Sequence, residues 1–561
     1  MNFSKQLLIL FLIMSLFSCK PKPAGRIQYG YEVDGTSVMS AIWDADNGDG
    51  TFNNPILHSD YSDPDVIRVG ADFYMTASSF NCVPGLPVLY SRDLVSWELI
   101  GYALKKLQPV EELSKPHHGG GVWAPCIRFH NNEFYIYYPD PDRGIFMVKA
   151  IDPAGPWSEP VMIKAGKGMI DPSPLWDDDG NVYMVYALAG TRAGVKSVLL
   201  ISRMNNEGTV MYDDAVMVFD GHQANPTVEG PKLYKRNGYY YIFAPAGGVT
   251  DGWQLALRSK NIYGPYEEKV VLHRGNTNIN GPHQGAWVTT IAGEDWFIHF
   301  QDKGAYGRIV HLQPMRWIDD WPVIGKDQND DGIGEPVNTF RKPDVGNTFP
   351  SVAPPTDDEF NSPERGLQWQ WQANPSLTWG FTAGNLGFYR LNCISKPDSS
   401  INMWVIPNLL LQKFPADEFT ATTALVFNAR FNGEETGLVV MGKDYQYISL
   451  KRDQEKLFVR VVRCEGADKQ NSEQVLYSKE IDNPAIYFRV RVEADALCRF
   501  SYSTNGNIFI EAGEPFKASP GLWIGAKIGF FALRDGFIND AGNVDIEWFR
   551  FEKNKNQNEK I

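Results

Sequence analysis

The chain has 561 residues, room for two large all-β domains or for three or four smaller ones. Sixteen Trp, 25 Tyr and 32 Phe make up 13% of it and charged residues only 21%, so sizeable cores can form and global disorder is excluded. A net charge of −14 leaves no basic footprint for phosphate backbones, which excludes a general nucleic-acid binder.

Residues 1–18 read as a lipoprotein signal peptide. Lys5 supplies the positive start, and residues 7–17 form an apolar run shorter than the roughly 20 residues that span a bilayer. Leu16-Phe17-Ser18-Cys19 resembles a bacterial lipobox, which predicts Cys19 as the lipidated first residue of the mature chain. An ordinary secretory signal with an incidental cysteine is the alternative. Residues 19–49 form a tether and N-terminal extension, opened by the stiff Lys20-Pro21-Lys22-Pro23-Ala24. No acidic run follows Cys19, so the anchor is expected on the periplasmic side of a Gram-negative membrane, with the cell surface as the alternative. The membrane is then a partner through the lipid alone. Cys82, Cys126, Cys393, Cys464 and Cys498 are widely spaced, form no C-x-x-C motif, and are expected as small buried hydrophobes.

Beyond residue 50 helical periodicity is scarce, and short β-like runs separated by Gly, Asn, Asp and Pro dominate. One unit recurs five times: a polar or small residue near Pro or Gly, a strand, a turn, then an aromatic-rich strand. The aromatic strands are Phe73-Tyr74-Met75, Phe134-Tyr135-Ile136-Tyr137-Tyr138, Tyr183-Met184-Val185-Tyr186, Tyr239-Tyr240-Tyr241-Ile242-Phe243 and Trp296-Phe297-Ile298-His299. With Pro64, Pro125, Pro172, Pro231 and Gly285 as markers, the spacings are 61, 47, 59 and 54 residues, the length of four-stranded propeller blades. The sequence therefore predicts an all-β protein: a five-bladed β-propeller over residues 50–345, a Pro-rich linker over 346–355, a β-sandwich over 356–552 and a polar tail over 553–561. Asn237-Gly238 marks a tight hairpin, and Asn505-Gly506 is expected to join two strands in the same way. Sandwich aromatics such as Trp523 and Phe531 are expected in the core rather than as ligand platforms.

Three repeats open on a carboxylate: Asp63, Asp171 and Glu229. Singly, each is an ordinary turn opener. Together, at equivalent starts of propeller strands, they are expected to face one central pocket. Crowding and burial there raise at least one carboxyl pKa, so that one group stays protonated as an acid while a neighbour acts as base. A carboxylate pair flanking one bond suits glycoside hydrolysis.

The motifs sharpen this. Asn54-Pro55-Ile56-Leu57, Ser62-Asp63-Pro64-Asp65, Gly121-Val122-Trp123-Ala124-Pro125, Asp171-Pro172-Ser173, Glu229-Gly230-Pro231, Gly304-Ala305-Tyr306-Gly307-Arg308 and the run from His311 to Trp317 resemble glycoside hydrolase family 43. The C-terminal part resembles the concanavalin-like sandwich that accompanies its β-xylosidases and α-L-arabinofuranosidases. The resemblance implies Asp63 as general base, Glu229 as general acid and Asp171 as the group that raises the pKa of Glu229. It implies inversion, for which the Asp63 and Glu229 carboxyls should stand about 6.5–9.5 Å apart. It implies Phe80 and Trp123 as walls of the sugar subsite, Arg308 as a donor to sugar hydroxyls, and His283 as holder, through waters, of a structural calcium ion at the propeller centre. No cofactor is required for the chemistry, and His117-His118 has no zinc-site spacing. Asp327 to Gly332 and Asp44 to Gly50 resemble calcium-loop openings but are expected to be acidic surface turns. The expected activity is exo-acting release of terminal α-L-arabinofuranosyl units from xyloglucan or arabinoxylan oligosaccharides. The alternative is a β-1,4-xylosidase or a bifunctional enzyme. An endo-arabinanase, a fructan-acting propeller and a glycan-binding lipoprotein without activity are weaker readings.

Overall fold

The computed structural model describes residues 42–554 apart from 385, 399, 537 and 538. Cys19, with the predicted signal peptide and most of the tether, lies outside the described residues, as does the tail from residue 555.

Five antiparallel four-stranded sheets follow one another in chain order. Blade I is Asp65–Val69, Asp72–Thr76, Gly85–Ser91 and Glu98–Leu104; blade II is Cys126–His130, Glu133–Asp140, Gly144–Ala150 and Val161–Ala165. Blade III is Met169–Trp176, Val182–Leu188, Val198–Met204 and Val216–Asp220; blade IV is Lys232–Arg236, Tyr239–Ala246, Trp253–Ser259 and Glu267–His273. Blade V is His283–Thr289, Asp295–Asp302, Arg308–Ile318 and Trp321–Ile324. The tight turn expected at Asn237-Gly238 is present: both residues take positive φ and the flanking Arg236 and Tyr239 pair across it. The ring closes where Leu57 exchanges two backbone hydrogen bonds with Val310, and where Thr51–Asn53 pairs with Thr339–Arg341.

The aromatic strands explain how the blades adhere. Side chains alternate across a strand, so each aromatic strand serves two neighbouring interfaces. Phe134, Ile136 and Tyr138 pack toward blade I, while Tyr135 and Tyr137 pack toward blade III. Tyr240 and Ile242 face blade III, while Tyr241 and Phe243 face blade V. Trp296 and Ile298 meet Phe73 and Met75 between blades V and I. The five propeller cores are these five blade interfaces. Each buried ring contributes roughly 1.5–3 kcal/mol.

The C-terminal region is a sandwich of two eight-stranded sheets. Trp369, Phe530, Phe549 and Phe551 pack between them, in a core continuous with Ala305, Tyr306 and Ile309 of the propeller. Propeller and sandwich form one compact unit. Val83 and Trp371 exchange both backbone hydrogen bonds, and the Asn374 side chain binds Leu107 N, Leu107 O and Val110 O.

Two expectations about the sandwich are corrected. Tyr502 pairs with Ile510, so residues 504–509 form a longer loop and Asn505-Gly506 does not close a two-residue hairpin. Asn505 instead bonds Asn507 N and Ile508 N through its side chain, a local turn within that loop. Phe531 is in a core as expected, but Trp523 is 48% exposed. Its loop leaves the sheet and leans on the propeller, which removes Trp523 from any core.

Candidate active site

The three carboxylates open the inner strands of blades I, III and IV. Asp63 lies two residues before strand Asp65–Val69 and has φ 55°. Asp171 has φ 56°, and the ladder beside it slips between Ile170 and Ser173. A second slip, between His283 and Gly285, surrounds Gln284 at φ 35°. Bulges of this kind re-aim side chains and bend the strand. Left-handed backbone in residues other than glycine costs of order 1–3 kcal/mol each and concentrates at functional sites.

Asp63 is buried and held from several sides. Ser62 Oγ donates to Oδ2 at 2.8 Å, Ser78 Oγ donates at 2.5 Å, and Arg308 NH1 lies 3.1 Å from Oδ1. The same NH1 donates to Ser62 Oγ at 2.7 Å. Asp171 Oδ2 accepts from Gly230 N at 2.8 Å. Gly230 has φ 60°, and a Cβ there would stand 2.7 Å from the Gln284 side chain, so this backbone donor needs glycine. Glu229 leaves its side chain 35% exposed, the most open of the three carboxylates. His283 Nε2 lies 3.4 Å from its Oε1.

The environments push the two coupled acids apart. Burial raises Asp171 to about 6, with a further push from Asp63, while the Gly230 hydrogen bond and the Lys232 charge pull it down. Loss of hydration around the Glu229 carboxyl, although an edge of the side chain stays open, raises it further, to about 8, with the charges of Asp171 and Asp63 adding to it and Arg308 opposing. At neutral pH Glu229 is the group that keeps its proton, and the proton-holding order is Glu229 above Asp171. Burial holds His283 down at about 3, with the Arg308 charge reinforcing this, so its imidazole is neutral.

The remaining predicted residues line the surroundings. Arg308 is buried, with its guanidinium 4.7 Å from the Phe300 ring and 5.7 Å from the Trp523 ring, and its Nε has no hydrogen-bond partner. Trp123 is half-buried, donates Nε1 to Gly119 O, and carries the Arg192 guanidinium 5.5 Å above its ring. Phe80 is only 3% exposed, in left-handed backbone, and is locked to Val122 by two backbone hydrogen bonds. Among the described residues no group of three or more His, Cys, Asp and Glu side chains could hold a metal ion. Both ring nitrogens of His283 lack hydrogen-bond partners, which suits a neutral imidazole facing a hydrated cation rather than direct ligation.

Several site residues were not legible from sequence. Ser62 lies within the Ser62-Asp63-Pro64-Asp65 motif but carries no mark of its role, and Ser78 and Gln284 carry no signal. Trp523 comes from the sandwich. A Cβ on Gly119 would meet the Leu522 and Trp523 side chains, and Asp60 ties Gly525 N and Arg308 N together at 3.0 and 2.9 Å. The sandwich loop is thereby pinned beside Arg308.

A five-bladed propeller with three carboxylates of unequal acidity at one channel mouth, beside aromatic rings, defines a glycoside hydrolase. The family model for glycosyl hydrolases family 43 matches residues 52–322, and that for the β-xylosidase C-terminal concanavalin A-like domain matches 357–552. The chain belongs to glycosyl hydrolase family 43. It is 38% identical to a putative β-xylosidase of Xylanibacter ruminicola over 88% of this chain and 89% of that one. It is 28% identical to a non-reducing end α-L-arabinofuranosidase, BoGH43B, of Bacteroides ovatus, over 89% and 94% respectively. The crystal structure of the family 43 protein BlXynB from Bacillus licheniformis superposes with a TM-score of 0.78 at 27% identity, covering 90% of this chain and all of that one.

Proposed function

We propose that this glycosidase is an exo-acting β-D-xylosidase that removes terminal non-reducing xylosyl units from hemicellulose oligosaccharides by inverting single displacement. The observation that carries the mechanism is the gathering of three carboxylates from three blades, Asp63 clamped by Ser62, Ser78 and Arg308, Asp171 by Gly230 N, and Glu229 the most open; this burial and crowding raise the pKa of Glu229. Glu229 donates its proton to the leaving oxygen. Asp171 stays largely ionised at neutral pH, and its charge keeps that proton on Glu229 until the bond breaks. Asp63, fixed by Ser62, Ser78 and Arg308, accepts the proton of the attacking water on the opposite face. Arg308 would offer the outer edge of its guanidinium to a sugar hydroxyl, and Trp123 and Trp523 offer flat faces to pentose rings. Trp523, near Arg308, would wall one side of the bound sugar, which favours a pocket for a chain end over an open cleft. A calcium ion, when bound, would be held by His283 through waters and would supply a fixed positive charge.

The preference for xylose rests on the higher identity to the Xylanibacter ruminicola relative. This moves the lead away from arabinofuranose, toward which the sequence alone leaned. Terminal α-L-arabinofuranosyl release from xyloglucan or arabinoxylan remains the second reading, supported by the likeness to BoGH43B. Rates on nitrophenyl β-D-xyloside and nitrophenyl α-L-arabinofuranoside decide between them, and faster arabinofuranoside cleavage overturns the first. Proton NMR of the first-formed product reads the anomer: α-xylose is expected, and β-xylose refutes inversion. We further propose a periplasmic protein anchored through Cys19. Cys19→Ala should then release it from the membrane fraction, and an unchanged membrane fraction refutes the anchor.

A further inference from the structure

Two or three residues further along each inner strand lies a second set of polar groups that the reaction does not use. Asp65 follows Asp63, Ser173 follows Asp171 and Lys232 follows Glu229, while Arg128 comes from the inner strand of blade II. Asp65, Ser173 and Lys232 are fully buried. Arg128 NH1 donates to Asp65 Oδ2 at 2.8 Å and its NH2 donates to Ser173 Oγ at 2.8 Å. Ser173 Oγ also accepts from Leu233 N at 3.1 Å, beside Lys232. Lys232 Nζ donates to Pro125 O at 2.9 Å and lies 3.8 Å from Asp65 Oδ1. Ile127 N donates to Asp65 Oδ2 at 2.7 Å. Four blades are thus linked in one network.

We propose that Asp65, Arg128, Ser173 and Lys232 form a positioning ring that sets the offset between the inner strands and so holds Glu229 in reach of the leaving oxygen. The reason lies in the fold. Each blade is a separate sheet, so no backbone ladder fixes the inner strand of one blade against the next. The apolar interfaces between blades are non-directional and define the offset less sharply than hydrogen bonds do. Charge-assisted hydrogen bonds are directional and short-ranged, so they supply the missing register. The carboxyls of three different sheets must be held to within about 0.5 Å of productive geometry, and a misplacement of about 1 Å can cost roughly 100-fold.

The proposal rests on the reading of Glu229 as the acid, and the test separates the two. Ser173→Ala, which removes one hydroxyl, and Lys232→Met are compared with Glu229→Gln on xylobiose and on 2,4-dinitrophenyl β-D-xyloside. Departure of xylose needs a proton, whereas departure of dinitrophenolate does not. Ser173→Ala is expected to lose about 100-fold in kcat on xylobiose and less than tenfold on the dinitrophenyl substrate. Lys232→Met, which also removes a charge that lowers the pKa of Asp171, should in addition move the pH profile of kcat. KM of Ser173→Ala should stay near that of the parent, and its thermal unfolding transition should fall by a few degrees yet stay cooperative, because the Arg128 guanidinium and Leu233 N lose their acceptor. Should Lys232→Met fail to fold, Ser173→Ala alone decides. Equal losses on both substrates, or none, overturn the ring as a positioning device for the acid. If Glu229→Gln itself shows no leaving-group dependence, the acid assignment has failed and the proposal falls with it.

Discussion

The propeller and the sandwich reach the same channel mouth by different means. The propeller delivers Asp63, Asp171 and Glu229 from three separate sheets, each at the start of an inner strand and two of them in strained backbone. The sandwich delivers one loop, whose Trp523 stands near Arg308 and whose Gly525 N is tied to Asp60. The first arrangement supplies chemistry that repeats can encode. The second supplies shape, and depends on a domain interface that includes the half-buried Lys413 with its amine 3.6 Å from the centre of the Tyr61 ring. The comparison separates catalysis from enclosure, and each can be broken without the other.

The largest effect is expected from removing residues 356–561. The sandwich core includes Tyr306, which donates to Asp417 O and accepts from Ala496 N, so the truncated propeller exposes that face. Soluble, active truncated protein in a gel-filtration and activity assay would show enclosure and fold to be independent of the sandwich. Next come Asp63→Ala and Glu229→Ala, each expected to lower kcat on xylobiose by about 10³–10⁴-fold with the unfolding transition retained. Tyr241→Ala, in the blade IV–V core, should cost about 3–5 kcal/mol in denaturant unfolding while leaving kcat of the folded fraction near the parent value.

The pH dependence follows from Glu229. It acts protonated, so activity is present below its pKa near 8 and falls about tenfold per unit above it. Asp171→Asn removes a charge that raises that pKa, so the alkaline limb should move to lower pH in the kcat profile; an unmoved limb refutes the pairing. The same shift acts on stability. A folded pKa raised above the ordinary 4.5 favours the fold most at low pH, and this is lost as pH rises through about 8. The smallest effect is expected at Trp523→Ala, about tenfold in kcat/KM on xylobiose, or roughly 1.4 kcal/mol, with kcat little changed. A loss in kcat instead would place Trp523 among the groups that act in the bond-breaking step.

The repeats, the five-blade count, the sandwich and the three acids were legible because they are local. An aromatic strand alternates by the geometry of the pleat, Asn237-Gly238 takes positive φ by its own nature, and Asp63, Asp171 and Glu229 stand next to strand starts that can be aligned by eye. Trp523 and Asn505-Gly506 misled for the converse reason: neither position carries a local mark of the surface or loop it ends in. The family resemblance named Glu229 as the acid, but why it keeps its proton was beyond sequence, since Asp171 and Glu229 differ in the neighbours that folding brings to them. The amino-acid order determined the fold class and which carboxylates converge. The tertiary structure decided their unequal acidity, the ring of Asp65, Arg128, Ser173 and Lys232, and the wall lent by the sandwich, because burial, charge and directional hydrogen bonds between distant segments exist only once the blades have closed.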